Sequence, residues 1–178
     1  MRHEVETVTG NKIDDAALSK SIQVFNENRR LMREVYAIKR ETPWLLSIED
    51  AFALINLGGM IPREEHNALL AGVIPLIKAR QAKKQDKIRI VFEGGFCETP
   101  PLDLLRMIGQ SCYVVDDDLL IGLRWILDDV KMTGDPLMNL ADAYVNNSSY
   151  SPVQHDLRKP KEKMLAERVK TSNAQAVI

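Results

Sequence analysis

The sequence predicts an α/β protein in which an N-terminal helical segment precedes a partial doubly wound parallel sheet of the Rossmann or flavodoxin type. Two observations carry this prediction. Apolar residues recur at helical spacing through the first half of the chain, and short β-branched runs then alternate with helical segments up to the last residue. We therefore expect a helical segment over residues 1–85 and a partial βαβ domain over residues 86–178, truncated in its last strand.

Three helices are predicted in the first segment. The first covers residues 14–41, begins at an aspartate cap and ends before a Thr-Pro pair. The second covers residues 47–59 and ends at a glycine pair, and the third covers residues 62–82. Pro75 lies inside the third helix, where we expect it to kink or split the helix.

The pattern changes at residue 87, where a β-branched run begins and predicts a strand that ends in two glycines. A short helix and a second strand follow, and a strand–helix–strand unit of this kind places its two strands parallel and adjacent. The predicted elements of this half are strands over residues 87–92, 112–115 and 174–178 and helices over residues 102–108, 119–130, 136–145 and 160–170.

Composition excludes several classes of protein. The 178 residues carry a net charge of −1, without the basic excess of a general nucleic-acid binder. No apolar run approaches the roughly 20 residues that span a bilayer, and the first residues lack the apolar core of a signal peptide. The two cysteines are too few for a disulfide framework and lack a Cys-x-x-Cys spacing. We expect a folded cytoplasmic protein in a reducing environment, with no membrane and no nucleic-acid partner.

The loop after the first strand is the first candidate site, because ligands of open α/β sheets bind at the carboxyl ends of the strands. Gly94 and Gly95 allow a ligand to approach the backbone closely. Cys97 falls near a helix N-terminus, which favours its thiolate form, although the neighbouring Glu98 opposes it. We interpret Cys97 as functional and Cys112, at the start of a strand, as core packing.

The three aspartates at residues 116–118 are the second candidate. They could hold a divalent cation, but we expect one to cap the next helix and the others to be solvated. The sequence spacing between Gly95 and Asp116 is also close to that between the glycine-rich turn and the ribose-binding acid of dinucleotide-binding proteins. The G-x-G-x-x-G motif is absent, however, which argues against a nicotinamide cofactor. The P-loop motif is absent too, which argues against nucleotide binding by a P-loop. His3, His66 and His155 form no metal-ligand spacing and are expected at the surface.

Two runs carry a family resemblance: residues 92–104 (FEGGFCETPPLDL) and residues 109–119 (GQSCYVVDDDL). They resemble the cluster-carrying subunits of ATP-dependent benzoyl-CoA reductase and the related 2-hydroxyacyl-CoA dehydratases. Residues 9–10, 25–30 and 158–160 are similar to that family too, so the resemblance covers nearly the whole chain. Its most specific pieces are Cys-Glu-x-Pro-Pro and Cys-Tyr-x-x-Asp-Asp-Asp.

The resemblance implies an oxidoreductase that uses reduced ferredoxin and ATP hydrolysis to convert benzoyl-CoA to a dienoyl-CoA. It implies a [4Fe–4S] cluster completed by cysteines outside this chain, a related cluster-carrying subunit, and ATPase subunits that bind the ATP. For this sequence we predict Cys97 and Glu98 as catalytic residues and Cys97 as a cluster ligand. The predicted substrate-binding residues are Gly94, Gly95, Phe96 and Asp116.

The resemblance leaves alternatives open. Cys97 could line the substrate cleft rather than bind the cluster, because a cluster needs three or four ligands and this chain has two cysteines. The chain could belong to a 2-hydroxyacyl-CoA dehydratase, in which a radical eliminates water without net reduction. It could also be a non-catalytic domain that binds a partner through its helical half.

Overall fold

The computed structural model describes residues 2–94, 100–118, 126–147, 149 and 157–178. Most of the helix predicted over residues 119–130 therefore lies outside the described residues, as do Trp125 and His155. No helix in the described ranges combines the length and the apolar content needed to cross a lipid bilayer.

The first half of the chain is helical, as predicted, and side-chain caps set where two of its helices begin. Asp14 accepts a hydrogen bond from the Ala17 N–H at 2.7 Å, and Ser47 accepts one from the Asp50 N–H at 3.0 Å. The first helix of the chain was not predicted. The elements are α1 (Arg2–Thr9), α2 (Asp15–Glu41), a short 3-10 helix (Pro43–Leu45), α3 (Ile48–Leu57) and α4 (Arg63–Lys78).

Pro75 does not split α4, so that part of the prediction is wrong. The helix runs through the proline and ends at Lys78 rather than near residue 82. Pro75 lies in the last turn, and its carbonyl accepts the Ala79 N–H at 3.0 Å, so helical hydrogen bonding continues past it. A proline this close to a helix end removes one hydrogen bond without interrupting the rest.

In the described part of the second half, three parallel strands form a sheet in the order β2-β1-β3. This arrangement confirms the predicted parallel α/β sheet, and the order is that of the first three strands of a flavodoxin-like sheet. Two backbone hydrogen bonds flank β3. The Gln175 N–H donates to the Arg89 carbonyl at 2.7 Å, and the Ile178 N–H donates to the Val91 carbonyl at 3.0 Å. The elements are β1 (Ile88–Phe92), α5 (Leu102–Ser111), β2 (Cys112–Asp117), α6 (Pro136–Asn146), α7 (Lys161–Thr171) and β3 (Ala176–Val177).

The pairing between β1 and β2 contains an irregularity. Ile90 pairs with Val114, but Val91 pairs with Asp116, so Val115 is an extra residue on β2. Such a bulge re-aims the residues that follow it. Beyond it β2 continues to Asp117, two residues further than predicted.

Buried apolar side chains of the described residues form two clusters, and α3 contributes to both. Ala51 and Ile55 pack with α2 and α4, whereas Ile48 and Phe52 pack with α5 and the sheet. Cys112 packs against the second cluster, in agreement with its predicted role in the core. α3 thus connects the helical half to the sheet. The domain boundary expected near residue 85 stays a prediction.

His66 is fully buried, which corrects its predicted surface position. Its Nδ1 lies 2.9 Å from Asn28 Nδ2, and its Nε2 lies 2.9 Å from the carbonyl oxygen of Leu54. Both ring nitrogens thus have partners, and the Asn28 amide must donate, which leaves Nε2 as the protonated nitrogen of a neutral ring. Burial lowers the pKa of His66. His3 is exposed, as predicted.

Candidate functional site

The carboxyl ends of the three strands meet at one edge of the sheet. β2 and β3 pair with opposite sides of β1, so the order in which strands are added to the sheet reverses at β1. Ligands of open α/β sheets bind at this reversal. We call Glu93, Gly94 and residues 116–118 the carboxyl edge. Its backbone is hydrogen-bonded: the Glu93 N–H donates to the Ile178 carbonyl at 2.8 Å, and the Asp118 N–H donates to the Phe92 carbonyl at 3.0 Å.

Arg168, in the last turn of α7, joins the ends of two strands. Its Nη1 donates to Glu93 Oε2 at 2.7 Å, and its Nε lies 3.4 Å from Asp116 Oδ2. Lys161, in the first turn of the same helix, lies 3.3 Å from Glu93 Oε1. The side chains of Glu93 and Asp116 are only 9% and 4% exposed. Two nearly buried carboxylates are therefore held by cations of α7.

A second buried group of charges lies beside the first. Lys39 of α2 forms a hydrogen-bonded ion pair with Asp117, and the Tyr36 hydroxyl donates to the other oxygen of Asp117 at 2.9 Å. Lys39 and Asp117 are 3% and 0% exposed. Burial lowers the pKa of Lys39 to about 7 and raises the pKa of Tyr36. The Asp117 N–H donates to Asp116 Oδ1 at 2.8 Å, which links the two groups.

The acidic triplet differs from its prediction. We expected solvated side chains after a strand, but Asp116 and Asp117 lie within β2 and all three aspartates are at most 3% exposed. Cations and a tyrosine from α2 and α7 offset the cost of burying Asp116 and Asp117. Asp116 is at the carboxyl edge with Arg168 as its partner, and its role in substrate binding stays a prediction.

Most of the predicted loop site lies outside the described residues. Gly95, Phe96, Cys97 and Glu98 fall in the range 95–99, so their catalytic, metal-binding and substrate-binding roles stay predictions. Gly94 is described: it is exposed, and a side chain placed on it would meet none of the described residues within 4 Å. The described residues thus leave space for a ligand beside the Gly94 backbone.

The described residues do not provide ligands for a cluster. Among them, no group of three or more histidine, cysteine, aspartate or glutamate side chains could hold a metal ion. Cys112 begins β2, at the opposite end of the strand from the carboxyl edge, and is partly buried. A cluster at the carboxyl edge would therefore need cysteines other than Cys112.

A cleft of about 340 Å³ opens at the amino ends of β1 and β2. Trp44, Lys87 and Tyr113 line it, together with the first residues of α3. Internal contacts already use part of this lining, because the Lys87 ammonium donates to the Gly109 carbonyl and Tyr113 accepts the Gln85 N–H at 2.7 Å. The cleft and the carboxyl edge lie at opposite ends of the strands.

Comparison with known proteins identifies the family. The model of the family described as "2-hydroxyglutaryl-CoA dehydratase, D-component" matches residues 1–178, the whole chain. The chain belongs to this family. The curated relatives of this chain include reductase and dehydratase subunits.

The benzoyl-CoA reductase of Thauera aromatica has a subunit that is 38% identical over 180 aligned residues, which cover 100% of this chain and 47% of the relative. Lactoyl-CoA dehydratase subunit beta of Anaerotignum propionicum is 31% identical over 180 aligned residues, which again cover 100% of this chain and 47% of the relative. The (R)-phenyllactyl-CoA dehydratase beta subunit of Clostridium sporogenes is 22% identical over 98% of this chain and 46% of the relative. The chain spans about half the length of the curated relatives it matches.

The cations that hold the carboxyl edge were not predicted from the sequence. Lys39 follows the buried Met32 and Tyr36 by seven and three positions, so it lies on the apolar face of α2. A lysine in that register was a signal for a buried acidic partner. Lys161 and Arg168 are two helical turns apart on α7, a spacing that places both on one face.

Proposed function

We propose that this chain is part of the iron–sulfur, acyl-CoA-binding subunit of an ATP-dependent benzoyl-CoA reductase. The enzyme would use electrons from reduced ferredoxin to dearomatise benzoyl-CoA to a dienoyl-CoA. Its partners would be a related cluster-carrying subunit and ATPase subunits that bind the ATP. The observation that carries this proposal is the 38% identity to a benzoyl-CoA reductase subunit along the entire chain.

The geometry of the carboxyl edge supports an acyl-CoA site there. The edge lies at the strand reversal, ion pairs fix the side chains of Glu93, Asp116 and Asp117, and the described residues leave space beside the Gly94 backbone. In this proposal the described residues orient the edge and exclude water from the buried charges. The cluster would be held by Cys97 with cysteines from the rest of the subunit and would supply single electrons.

A dehydratase subunit is the second candidate. The 31% identity to a lactoyl-CoA dehydratase subunit and the name of the matched family favour it. Such an enzyme would eliminate water from a 2-hydroxyacyl-CoA, with no net gain of electrons by the product. The two candidates therefore differ in product rather than in fold.

The test uses the full-length parent protein, co-expressed without oxygen with its neighbouring subunits. Its readouts are ATP-dependent, benzoyl-CoA-stimulated oxidation of a low-potential dye, the acyl-CoA product and the iron content. A dienoyl-CoA product supports the reductase. Loss of water from a 2-hydroxyacyl-CoA, without ring reduction, supports the dehydratase. A folded complex with neither iron nor turnover would refute both and leave a partner-binding domain.

The two cysteines offer a matched pair of variants for the same complex. We expect Cys97→Ala to lower iron content and turnover together if Cys97 binds the cluster. If Cys97 lines the substrate cleft, the KM for the acyl-CoA should rise at unchanged iron content. Cys112→Ala is the control, because Cys112 packs against the core at the other end of β2. Equal iron loss in both variants would contradict the role of Cys97.

A further inference from the structure

One guanidinium holds the carboxylates that end two neighbouring strands. Arg168 contacts Glu93, directly after β1, and Asp116, near the end of β2. We infer that Arg168 is a positioning residue: it fixes the carboxyl edge through Glu93, in the geometry that substrate binding requires. The loss of turnover expected when Arg168 is replaced rests on the proposed function, whereas the expected loosening of the backbone at the carboxyl edge does not.

The contacts of Glu93 show how this fixation works. Arg168 binds one oxygen of its carboxylate at 2.7 Å and Lys161 lies 3.3 Å from the other. The Glu93 N–H is bonded to the carbonyl of Ile178. The first residue after β1 is thus held at its backbone by the neighbouring strand and at its side chain by two turns of α7. Gly94, which follows directly, has no side chain with which to anchor itself.

Electrostatics make Arg168 the key member of this arrangement. Glu93 and Asp116 are both within 3.5 Å of the same guanidinium, and both are largely removed from water. Without the guanidinium, two carboxylates would face each other with little solvent to screen their repulsion. The strand ends would move apart or rotate. A displacement of about 1 Å at a reacting site can lower turnover by a factor of about 100.

A double-variant cycle in the full-length subunit, assembled with its partners, tests the inference. The variants are Arg168→Lys, Glu93→Gln and their combination. We expect each single variant to lower kcat/KM for the acyl-CoA about tenfold, and the double variant to be no worse than the poorer single one. Arg106→Lys is the control, because Arg106 forms a surface ion pair with Asp103 on α5. Effects of the two single variants that multiply would overturn the inference.

Amide hydrogen exchange supplies a readout that does not need turnover. We expect the Arg168→Lys and Glu93→Gln variants to speed exchange at the amides of Glu93 and Ile178 about tenfold, while the core amide of Leu105 keeps its rate. Unchanged exchange at Glu93 and Ile178 would overturn the inference. If the parent protein turns over no acyl-CoA, the proposed function fails, and the exchange cycle alone decides the role of Arg168.

Lys161→Met keeps the test decisive if Arg168 variants fail to assemble. The Lys161 side chain is 43% exposed, so its loss should be tolerated by the fold. The variant removes one of the two cations on Glu93, and we expect exchange at the Glu93 amide to rise two- to threefold. Exchange equal to that of the wild type in both Lys161→Met and Glu93→Gln would show that α7 does not hold Glu93, which would overturn the inference.

Discussion

Asp117→Asn breaks the buried ion pair with Lys39, and its cost should depend on pH. The variant leaves the Lys39 amino group 3% exposed and without its carboxylate partner, while the asparagine oxygen still accepts from Tyr36. Removing one partner of a buried pair costs about 3–5 kcal/mol, so we expect the free energy of unfolding to fall by about 3 kcal/mol at pH 7.

The pH dependence follows from the protons bound by Lys39. Burial already lowers its pKa to about 7, and losing Asp117 lowers it further. Below pH 7 the folded wild type binds this proton and the folded variant does not, whereas both unfolded chains do. The deficit of the variant therefore grows by up to about 1.4 kcal/mol for each pH unit below 7. At pH 5.5 it should reach about 5 kcal/mol, and above pH 7 it should level off.

Urea unfolding of the wild-type and variant full-length proteins at pH 5.5, 7 and 8.5 measures this deficit. Asp129→Asn is the matched control, because Asp129 pairs with Arg33 at the surface and is 51% exposed. Its loss should cost less than about 1 kcal/mol at every pH. A deficit below about 1 kcal/mol for Asp117→Asn at pH 7, or one that does not change between pH 5.5 and 8.5, would refute the reasoning.

Three further predictions concern the core. Leu105→Ala, at a fully buried position, should cost about 3 kcal/mol in urea unfolding, whereas Leu104→Ala, 37% exposed, should cost less than about 1 kcal/mol. Gly58→Ala should lower the free energy of unfolding by about 1–3 kcal/mol, because the added methyl group would lie 2.8 Å from His66 Cε1. Gly59→Ala is its control: the nearest atom to the added methyl group is 3.5 Å away, so the free energy of unfolding should change by less than about 0.5 kcal/mol. Because burial lowers the pKa of His66, its contribution to stability should be lost as pH falls below about 6.5, and NMR titration should find a midpoint for the ring below that of an ordinary histidine. A Gly58→Ala cost no larger than that of Gly59→Ala, or a His66 titration midpoint at or above about 6.5, would contradict these assignments.

The elements that local patterns determine could be predicted from the sequence. The apolar face of α2, the serine cap of α3 and the β-branched runs of β1 and β2 all use signals within a few residues of each other. α1 was missed because it is short and none of its residues is buried: its apolar residues, Val5 and Val8, are both exposed, so it lacks the long apolar stripe of a core helix.

The buried polar residues could not be predicted, because their partners are distant in the sequence. Asp117 depends on Lys39, 78 positions away, and His66 depends on Asn28, 38 positions away. An acidic run or a lone histidine is usually solvated, and only a specific partner makes its burial tolerable. The predicted site residues that the structure describes, Gly94 and Asp116, lie at the carboxyl edge, but the cations that stabilise this edge were not predicted.

The position of β3 has a consequence for the order of folding. β1 pairs with β2 after a short crossover, but Ile90 pairs with Ala176 about 86 positions later. Contacts between distant segments form slowly, because the intervening chain must first be ordered. During synthesis α2, α3 and α4 leave the ribosome long before β3, so we expect the helices and the β1–β2 pair to form first. The bond between Glu93 and Ile178 would then be among the last to form, so the carboxyl edge would reach its final geometry only after the rest of the sheet.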